Sequence, residues 1–141
     1  GLNSRLDEIQ AAFLNVKLKH IQKDIEGRRE VANYYLEKIK NPNIILPKVL
    51  NKEAHVWHLF VIRIVKREEL QKYLNEKGIQ TLIHYPIPVH KQLAYKEFSY
   101  LRLPITEQIH NEVLSLPMSP LMTVDEMKMI IEALNNFEWR E

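Results

Sequence analysis

The sequence of 141 residues contains no cysteine and only three glycines. The absence of cysteine excludes a disulfide framework, cysteine-ligated zinc, iron–sulfur clusters and thiol nucleophiles, and a cytoplasmic location is the expectation. Glycine occurs only at Gly1, Gly27 and Gly78, so neither a G-x-G-x-x-G nor a G-x-x-x-x-G-K-[ST] motif is present. Any bound phosphate must therefore be held without a glycine-rich loop.

Strong net charge and long apolar runs are also missing. The chain has 20 Lys and Arg against 18 Asp and Glu, a net charge of +2 with neutral histidine. Because the two signs are interspersed, there is no electrostatic argument for binding nucleic acid or an anionic membrane. The longest apolar runs, such as 59–62, fall far short of the ~20 residues that span a bilayer. The first residues lack both Met and the order of a signal peptide, so we expect a cut end.

The first forty residues predict a long helical region. No proline occurs between Arg5 and Lys40, and apolar residues recur at helical spacing. They form two adjoining stripes, Leu6, Ile9, Phe13 and Val16 on one and Leu14, Leu18, Ile21 and Ile25 on the other. Gly27 predicts either a bend in one long helix or a junction between two helices. The apolar face is wider than a small sheet requires.

The remainder of the chain predicts a small sheet covered by helices. Strands are expected at 44–46, 55–65 and 79–85, and helices at 66–77, 105–114 and 123–137, the last with a capping box at Thr123. The β–α–β order over 55–85 is compatible with two strands of one sheet and a covering helix. The fold class is therefore α+β, with a long N-terminal helix before the small sheet.

Metal binding is not expected from the six histidines. His55 and His58 lie three residues apart on a predicted strand and should point to opposite faces. His84 and His90 span a proline loop that contains no carboxylate. His58, within an apolar run, is predicted to be a core histidine, and the basic residues between 17 and 29 to be a solvated face.

Two segments are candidates for ligand binding. In the segment 84–90, His-Tyr-Pro-Ile-Pro-Val-His, two prolines fix the path that leaves a predicted strand. Spacing alone leaves open whether this rigid loop presents His84 and Tyr85 to a ligand or is a proline turn with a buried tyrosine. The second is the segment 3–5, Asn-Ser-Arg. Its position before the predicted helix favours a helix cap, and a phosphate-binding site is the alternative.

The order of several motifs resembles one enzyme family. The segment 1–12, GLNSRLDEIQAA, resembles the G-x-N-x-R-L-D-E-x-Q-A-A motif of the DegT/StrS-type sugar aminotransferases. Later segments resemble further motifs of that family: RREVANYY at 28–35, WHLFVI at 57–62, KGIQT at 77–81, HYPIPVH at 84–90, LP at 103–104 and LSLPM at 114–118. The resemblance covers nearly the whole chain.

The resemblance implies a fold, a cofactor and an oligomeric state. These relatives are pyridoxal-phosphate enzymes of aspartate-aminotransferase fold type I and form homodimers. Their Schiff-base lysine lies in an upstream segment that has no counterpart in this chain. The resemblance therefore implies a C-terminal portion, with residues 1–40 as the long interdomain helix region and 41–141 as the C-terminal small α/β domain.

The resemblance also implies roles for five residues. Asn3 and Arg5 match family positions that reach the cofactor phosphate of the neighbouring subunit. His84, Tyr85 and, with weaker support, His90 match a loop that borders the nucleotide-sugar pocket. A guanidinium and an amide suit phosphate oxygens, so the phosphate interpretation of Asn3 and Arg5 becomes the preferred one.

The function that the resemblance implies is amino-group transfer, usually from glutamate, to a keto-sugar linked to a nucleoside diphosphate, in deoxysugar or polysaccharide biosynthesis. Without the lysine, this segment should be inactive alone. The alternative is a stand-alone α+β interaction module without catalytic activity, which would use the exposed helix face. A small nucleotide-binding regulatory domain is supported only by the β–α–β order.

Overall fold

The computed structural model describes residues 7–138. Along this part of the chain the elements are α1 (Glu8–Leu18), α2 (Ile21–Lys38), β1 (Phe60–Arg63), α3 (Arg67–Glu76), α4 (Pro104–Glu112), β2 (Val113–Leu116) and α5 (Val124–Asn135). Short 3-10 turns lie in the connections at Lys52–Ala54, Val89–Lys91 and Leu93–Phe98. Helices thus accompany a small sheet, in agreement with the mixed class predicted. No helix among the described residues is both long and apolar enough to cross a membrane.

The sheet is built around β2. β1 and β2 pair antiparallel, with Ile62 opposite Leu114. Single bridges extend this pair on both sides, from Ile45 to Arg63 of β1 and from Leu82 to Ser115 of β2. Because β1 and the Leu82 segment both run antiparallel to β2, they run parallel to each other with β2 between them.

The strand predictions were only partly correct. The predicted strand 55–65 is reduced to β1, because Trp57 adopts a left-handed backbone conformation with φ of 50° that interrupts the extended chain. The predicted strands 44–46 and 79–85 contribute one bridge each. β2 was not predicted, since residues 113–114 continue the apolar spacing of the preceding helix. The predicted neighbours in the β–α–β unit are in fact separated by β2.

The helix predictions for α3 and α5 were confirmed. α3 buries Leu70 and Leu74 and is followed by Gly78 at φ 77°, the left-handed conformation that glycine favours after a helix. α5 begins with the predicted capping box, in which the Thr123 hydroxyl accepts from the Glu126 amide and the Glu126 carboxylate accepts from the Thr123 amide.

The core lies between α2, α5, α3 and the sheet. Tyr35 of α2 is fully buried, packs edge-on against Phe60 with ring centroids 5.0 Å apart, and donates to the Pro117 carbonyl over 3.0 Å. Burial raises the pKa of the Tyr35 hydroxyl far above its ordinary value. The other buried apolar residues include Val31, Ala32, Ile39, Ile62, Leu114, Met127, Ile130, Ile131 and Leu134. The C-terminal half of α2 therefore belongs to the same core as α5.

The helical region breaks at a different place from the one predicted. The junction between α1 and α2 lies at Lys19 and His20, whereas Gly27 lies inside α2. A Cβ atom at Gly27 would be only 2.8 Å from the carbonyl oxygen of Pro120. The glycine therefore allows the helix backbone to approach the 117–123 segment closely, and its role is packing and not helix termination.

The apolar side chains of α1 are exposed. Phe13 is 67% exposed and Ile9 71% exposed, and Leu14, Val16 and Leu18 of α1 are also exposed, as is Ile21 at the start of α2. This agrees with the expectation that the N-terminal helix carries more apolar face than the small sheet can cover. Contiguous apolar surface of this kind promotes association when it exceeds a few hundred Å².

We expect the 141-residue chain to self-associate through α1. Sedimentation velocity over a concentration series should show association, and Ile9→Ser combined with Phe13→Ser should shift the chain toward monomer. Leu50→Ser is the control, because Leu50 is a fully exposed apolar residue outside α1. A monomer at every concentration, or the same shift with the control, would contradict the expectation.

We expect Gly27→Ala to destabilise the fold. Helix propensity alone favours alanine by ~1 kcal/mol, but forcing a methyl against Pro120 is an overpacking change that costs about 1–3 kcal/mol. Urea unfolding should therefore show a lower midpoint. Asn33→Ala, at an exposed position of the same helix, gives the propensity effect without the clash and should leave the midpoint unchanged or raise it. A higher midpoint for Gly27→Ala would contradict this expectation, because it would show that the Pro120 segment can move away from the added methyl group at little cost.

Candidate functional site

The candidate site begins at Ser115 in the middle of β2. Ser115 is buried, and its backbone pairs with β1 on one side and with Leu82 on the other. Its amide donates to the Leu82 carbonyl over 2.8 Å, and the Leu82 amide donates in return over 3.3 Å. The chain that leaves this bridge passes directly into the 84–90 segment. β2 therefore determines where that segment starts.

His84 and Tyr85 have different environments. His84 is half-buried, and its Nδ1 lies 2.9 Å from the Ser115 hydroxyl oxygen in a hydrogen bond. Tyr85 is 66% exposed, and its ring meets the His84 ring edge-on with centroids 5.5 Å apart. Of the two alternatives that spacing left open, the proline turn with a buried tyrosine is therefore excluded. The exposed phenol of Tyr85 can contact a ligand, and the hydrogen bond to Ser115 fixes the orientation of the His84 imidazole.

A cavity of about 200 Å³ opens beside His84. His58, Gln80 and Ser115 contribute polar groups to its wall. Imidazole, amide and hydroxyl groups can each donate and accept hydrogen bonds, which suits a ligand rich in hydroxyl groups. A second cavity of about 500 Å³ shares Gln80, Leu82, Pro117 and Met118 with the first and is lined mainly by apolar residues. Its wall includes Ile79, Met118, Met122, Met129 and Ile130.

Arg28 fixes the edge of the smaller cavity. One of its guanidinium nitrogens lies 3.4 Å from each of the carbonyl oxygens of Trp57, His58 and Met118. Arg29 donates from Nε to the His55 carbonyl over 3.2 Å and also bonds the Glu53 carbonyl. The prediction that these two arginines belong to a solvated face was therefore wrong. They hold the 53–58 segment against α2.

His58 was also predicted incorrectly. Instead of a core histidine it is an exposed residue at the cavity wall, because the left-handed turn at Trp57 moves the chain out of the sheet. Trp57 takes the buried place and stacks on Phe60 with centroids 5.3 Å apart. Sequence spacing could not reveal this exchange, because it assumes an extended strand through residue 57.

His90 is buried and only 6% exposed. Its Nε2 lies 3.0 Å from Glu107 Oε1, which also accepts from the Leu103 amide over 3.1 Å. These hydrogen bonds from His90 and Leu103 hold the pKa of the Glu107 carboxyl below its ordinary value. His90 does not belong to the described walls of the cavities beside His84. The structure therefore brings His84 and Tyr85 together and places His90 at the other end of their loop.

The remaining predicted site residues, Asn3 and Arg5, lie outside the described residues. Within residues 7–138, no group of three or more His, Asp or Glu side chains is arranged to hold a metal ion. Two polar residues of the cavity, Gln80 and Ser115, were not predicted. A serine between two leucines in an apolar run at 114–116 was the available signal for Ser115.

Known proteins resemble this chain in sequence and in fold. A family model described as the DegT/DnrJ/EryC1/StrS aminotransferase family matches residues 1–135. The chain is 58% identical over 137 residues to the dTDP-3-amino-3,6-dideoxy-alpha-D-galactopyranose transaminase of Aneurinibacillus thermoaerophilus. That match covers 97% of this chain and 38% of the relative. The chain thus spans about 38% of the length of this curated relative.

Solved structures of aminotransferases have the same fold. The X-ray structure of S. venezuelae DesV superimposes with a TM-score of 0.88 at 38% identity, covering 96% of this chain and 37% of DesV. The structure of NtdA from Bacillus subtilis, which has bound cofactor PMP, superimposes with a TM-score of 0.84 at 34% identity. It covers 95% of this chain and 33% of NtdA.

Proposed function

This chain belongs to the DegT/DnrJ/EryC1/StrS aminotransferase family, and we propose that it is the C-terminal portion of a pyridoxal-phosphate-dependent aminotransferase. The proposed reaction moves an amino group from glutamate to a keto-sugar linked to a nucleoside diphosphate. The observation that carries the proposal is the 58% identity to a dTDP-sugar transaminase over 97% of the chain. A dTDP-linked deoxyhexose is the substrate class that this relative supports.

The proposed division of the chain has residues 1–40 as an interdomain helical region and 41–141 as the C-terminal small domain of a fold type I enzyme. The exposed apolar side chains of α1 support it, because such a face is stable in water only when another surface covers it. The proposed cover is the rest of the enzyme, including the second subunit of a homodimer. α2 would join the two parts, since its C-terminal half already belongs to the core.

The proposed contacts of this chain to the cofactor are Asn3 and Arg5. Their chemistry fits a phosphate group, because a guanidinium presents several donors in a fixed plane and an amide adds another. They would hold the phosphate without the glycine loop that the sequence lacks. When bound, pyridoxal phosphate supplies the electron sink for the transfer, and the protein supplies binding and orientation.

The proposed substrate contacts are His84 and Tyr85. The half-buried imidazole, fixed by Ser115, and the exposed phenol stand beside a cavity whose polar groups can bind sugar hydroxyls. Their exit loop contains Pro86 and Pro88, which lower the entropy lost when a ligand is bound. The buried position of His90 favours a different role for that residue.

We expect the 141-residue chain alone to form no specific lysine adduct with pyridoxal phosphate, because it has no counterpart of the family's lysine segment. Borohydride reduction followed by peptide mass spectrometry should find only scattered, substoichiometric labelling of surface lysines. Bovine serum albumin treated in the same way provides the background level. A stoichiometric adduct at one lysine of this chain would contradict the proposal that the segment lacks the reactive lysine.

In the intact enzyme, His84→Ala and Tyr85→Phe should raise the Michaelis constant for the keto-sugar nucleotide. The lost hydrogen bonds are each worth about 0.5–1.5 kcal/mol, roughly twofold to tenfold. The half-reaction with glutamate and the affinity for the cofactor should change little. Steady-state kinetics and single-turnover measurements separate these quantities.

In the intact enzyme, Arg5→Ala should lower the affinity for the cofactor, the quantity that the His84 and Tyr85 variants leave nearly unchanged. Loss of a charge-assisted contact to phosphate, worth roughly 1.5–3 kcal/mol, should weaken retention of the cofactor. Dialysis followed by absorbance of the bound cofactor measures this loss.

If the His84 and Tyr85 variants instead lowered only thermal stability, with an unchanged Michaelis constant, the loop would be structural and the substrate assignment wrong.

A further inference from the structure

The 84–90 loop is attached to the rest of the structure at both ends by hydrogen bonds to α4. At its start, His110 Nδ1 donates to the Tyr85 carbonyl oxygen over 2.6 Å. At its end, His90 Nε2 lies 3.0 Å from Glu107 Oε1. Between these two attachments the backbone is stiffened by Pro86 and Pro88. The loop is thus a short, rigid segment held at two points.

Both attachment points are on the same side of one helix. Glu107 and His110 are three residues apart in α4, and residues at this spacing lie next to each other on a helix surface. The carboxylate of Glu107 also accepts from the Leu103 amide, which lies just before the helix. A single helix face therefore holds both ends of the loop, so that its two ends move together with α4.

α4 is itself fixed to the core. Arg67, buried at the start of α3, donates from Nη1 to the His110 carbonyl oxygen over 2.6 Å. Two residues further along, the last residue of α4, Glu112, is buried, and Arg63 of β1 donates to its Oε2 from Nε over 3.0 Å and from Nη2 over 2.7 Å. Burial alone would raise the pKa of the Glu112 carboxyl, but hydrogen bonds from Gln108 and Arg63 outweigh burial and lower it. The C-terminal turn of α4, which carries His110, is thus fixed to the core.

We propose that Glu107 and His110 are positioning residues that hold His84 and Tyr85 in place for the substrate, and that His90 acts with Glu107 and not as a substrate contact. The substrate part of this inference rests on the proposed function. Neither Glu107 nor His110 lines the cavities beside His84. They act through the backbone of Tyr85 and the side chain of His90.

The chemistry of the two bonds defines conservative variants that retain them. A carbonyl oxygen only accepts, so the His110 Nδ1 atom must carry a proton, and the side-chain amide of asparagine can supply a donor near the same position. Glu107 acts as an acceptor for two donors, and glutamine keeps an acceptor oxygen there. His110→Asn and Glu107→Gln should therefore preserve the attachment that His110→Ala and Glu107→Ala remove.

The first test is hydrogen–deuterium exchange on the 141-residue chain, which requires no enzyme activity. The reporters are the backbone amides of Lys91 and Gln92, which directly follow the loop and donate to the Pro88 and Val89 carbonyls within it. The Lys91 side chain also lies 3.9 Å from Glu107 Oε1, so Gln92 is the reporter for the Glu107 variants. The reference is peptide 31–39 of the core. Glu132→Ala, at an exposed position of α5, is the matched control variant.

Each alanine variant should speed exchange of these reporter amides by about tenfold, the effect of losing its one hydrogen bond to the loop at roughly 1.4 kcal/mol. Peptide 31–39 should keep its protection, and the asparagine and glutamine variants should recover most of the protection in the loop. Unchanged loop exchange in the alanine variants would overturn the inference. Equal acceleration in the core peptide, or no recovery in the conservative variants, would overturn it as well.

The second test separates this inference from the proposed function. In the intact enzyme, Glu107→Ala should raise the Michaelis constant for the sugar nucleotide with little change in kcat, and Glu107→Gln should restore it. A kcat loss without a change in the Michaelis constant would overturn the positioning role. If the loop loosens as expected but His84→Ala leaves substrate binding unchanged, attachment by α4 is supported and it is the proposed substrate role of His84 that fails.

Discussion

The position of β2 between β1 and the Leu82 segment is the constraint on which the candidate site depends. The backbone of Ser115 is paired on both sides, so its side chain has a fixed place in the sheet. Its hydroxyl then fixes the ring of His84 two residues beyond the Leu82 bridge. A buried polar group is costly unless it is hydrogen-bonded, and here the bond that satisfies Ser115 also orients the imidazole. Sheet pairing and site geometry are thus parts of one arrangement.

The elements around the sheet limit movement of the site from two directions. On one side, α2 approaches the Pro120 segment through Gly27 and holds the Trp57 and His58 carbonyls through Arg28. On the other side, α4 meets the 84–90 loop through side chains one turn apart. Most of these contacts join a side chain to a backbone carbonyl. They therefore fix the path of the chain while leaving the side chains of His58 and Tyr85 exposed.

The contrast between α1 and the rest of the chain has a physical meaning. α2, α3 and α5 each bury apolar residues in one core, whereas the apolar side chains of α1 stay exposed. The free energy gained by burying such side chains is about 25 cal/mol for each Å² removed from water. The apolar side chains of α1 do not contribute this free energy in the 141-residue chain, because they remain in water. This agrees with the match to a curated relative that is much longer than 141 residues.

The sequence by itself determined the family, the mixed fold class and the two helices with the clearest end signals. The capping box at Thr123 and the glycine after α3 act through local hydrogen bonds and local backbone conformation, which a few neighbouring residues specify. Tertiary structure alone decided that residues 113–116 form a strand, that Gly27 continues a helix, and that His58 is exposed while His90 is buried. Each of these outcomes depends on partners distant in sequence, namely β1, Pro120, Arg28 and Glu107. Spacing along the chain carries no record of such partners, because pairing and packing are settled only when the segments meet.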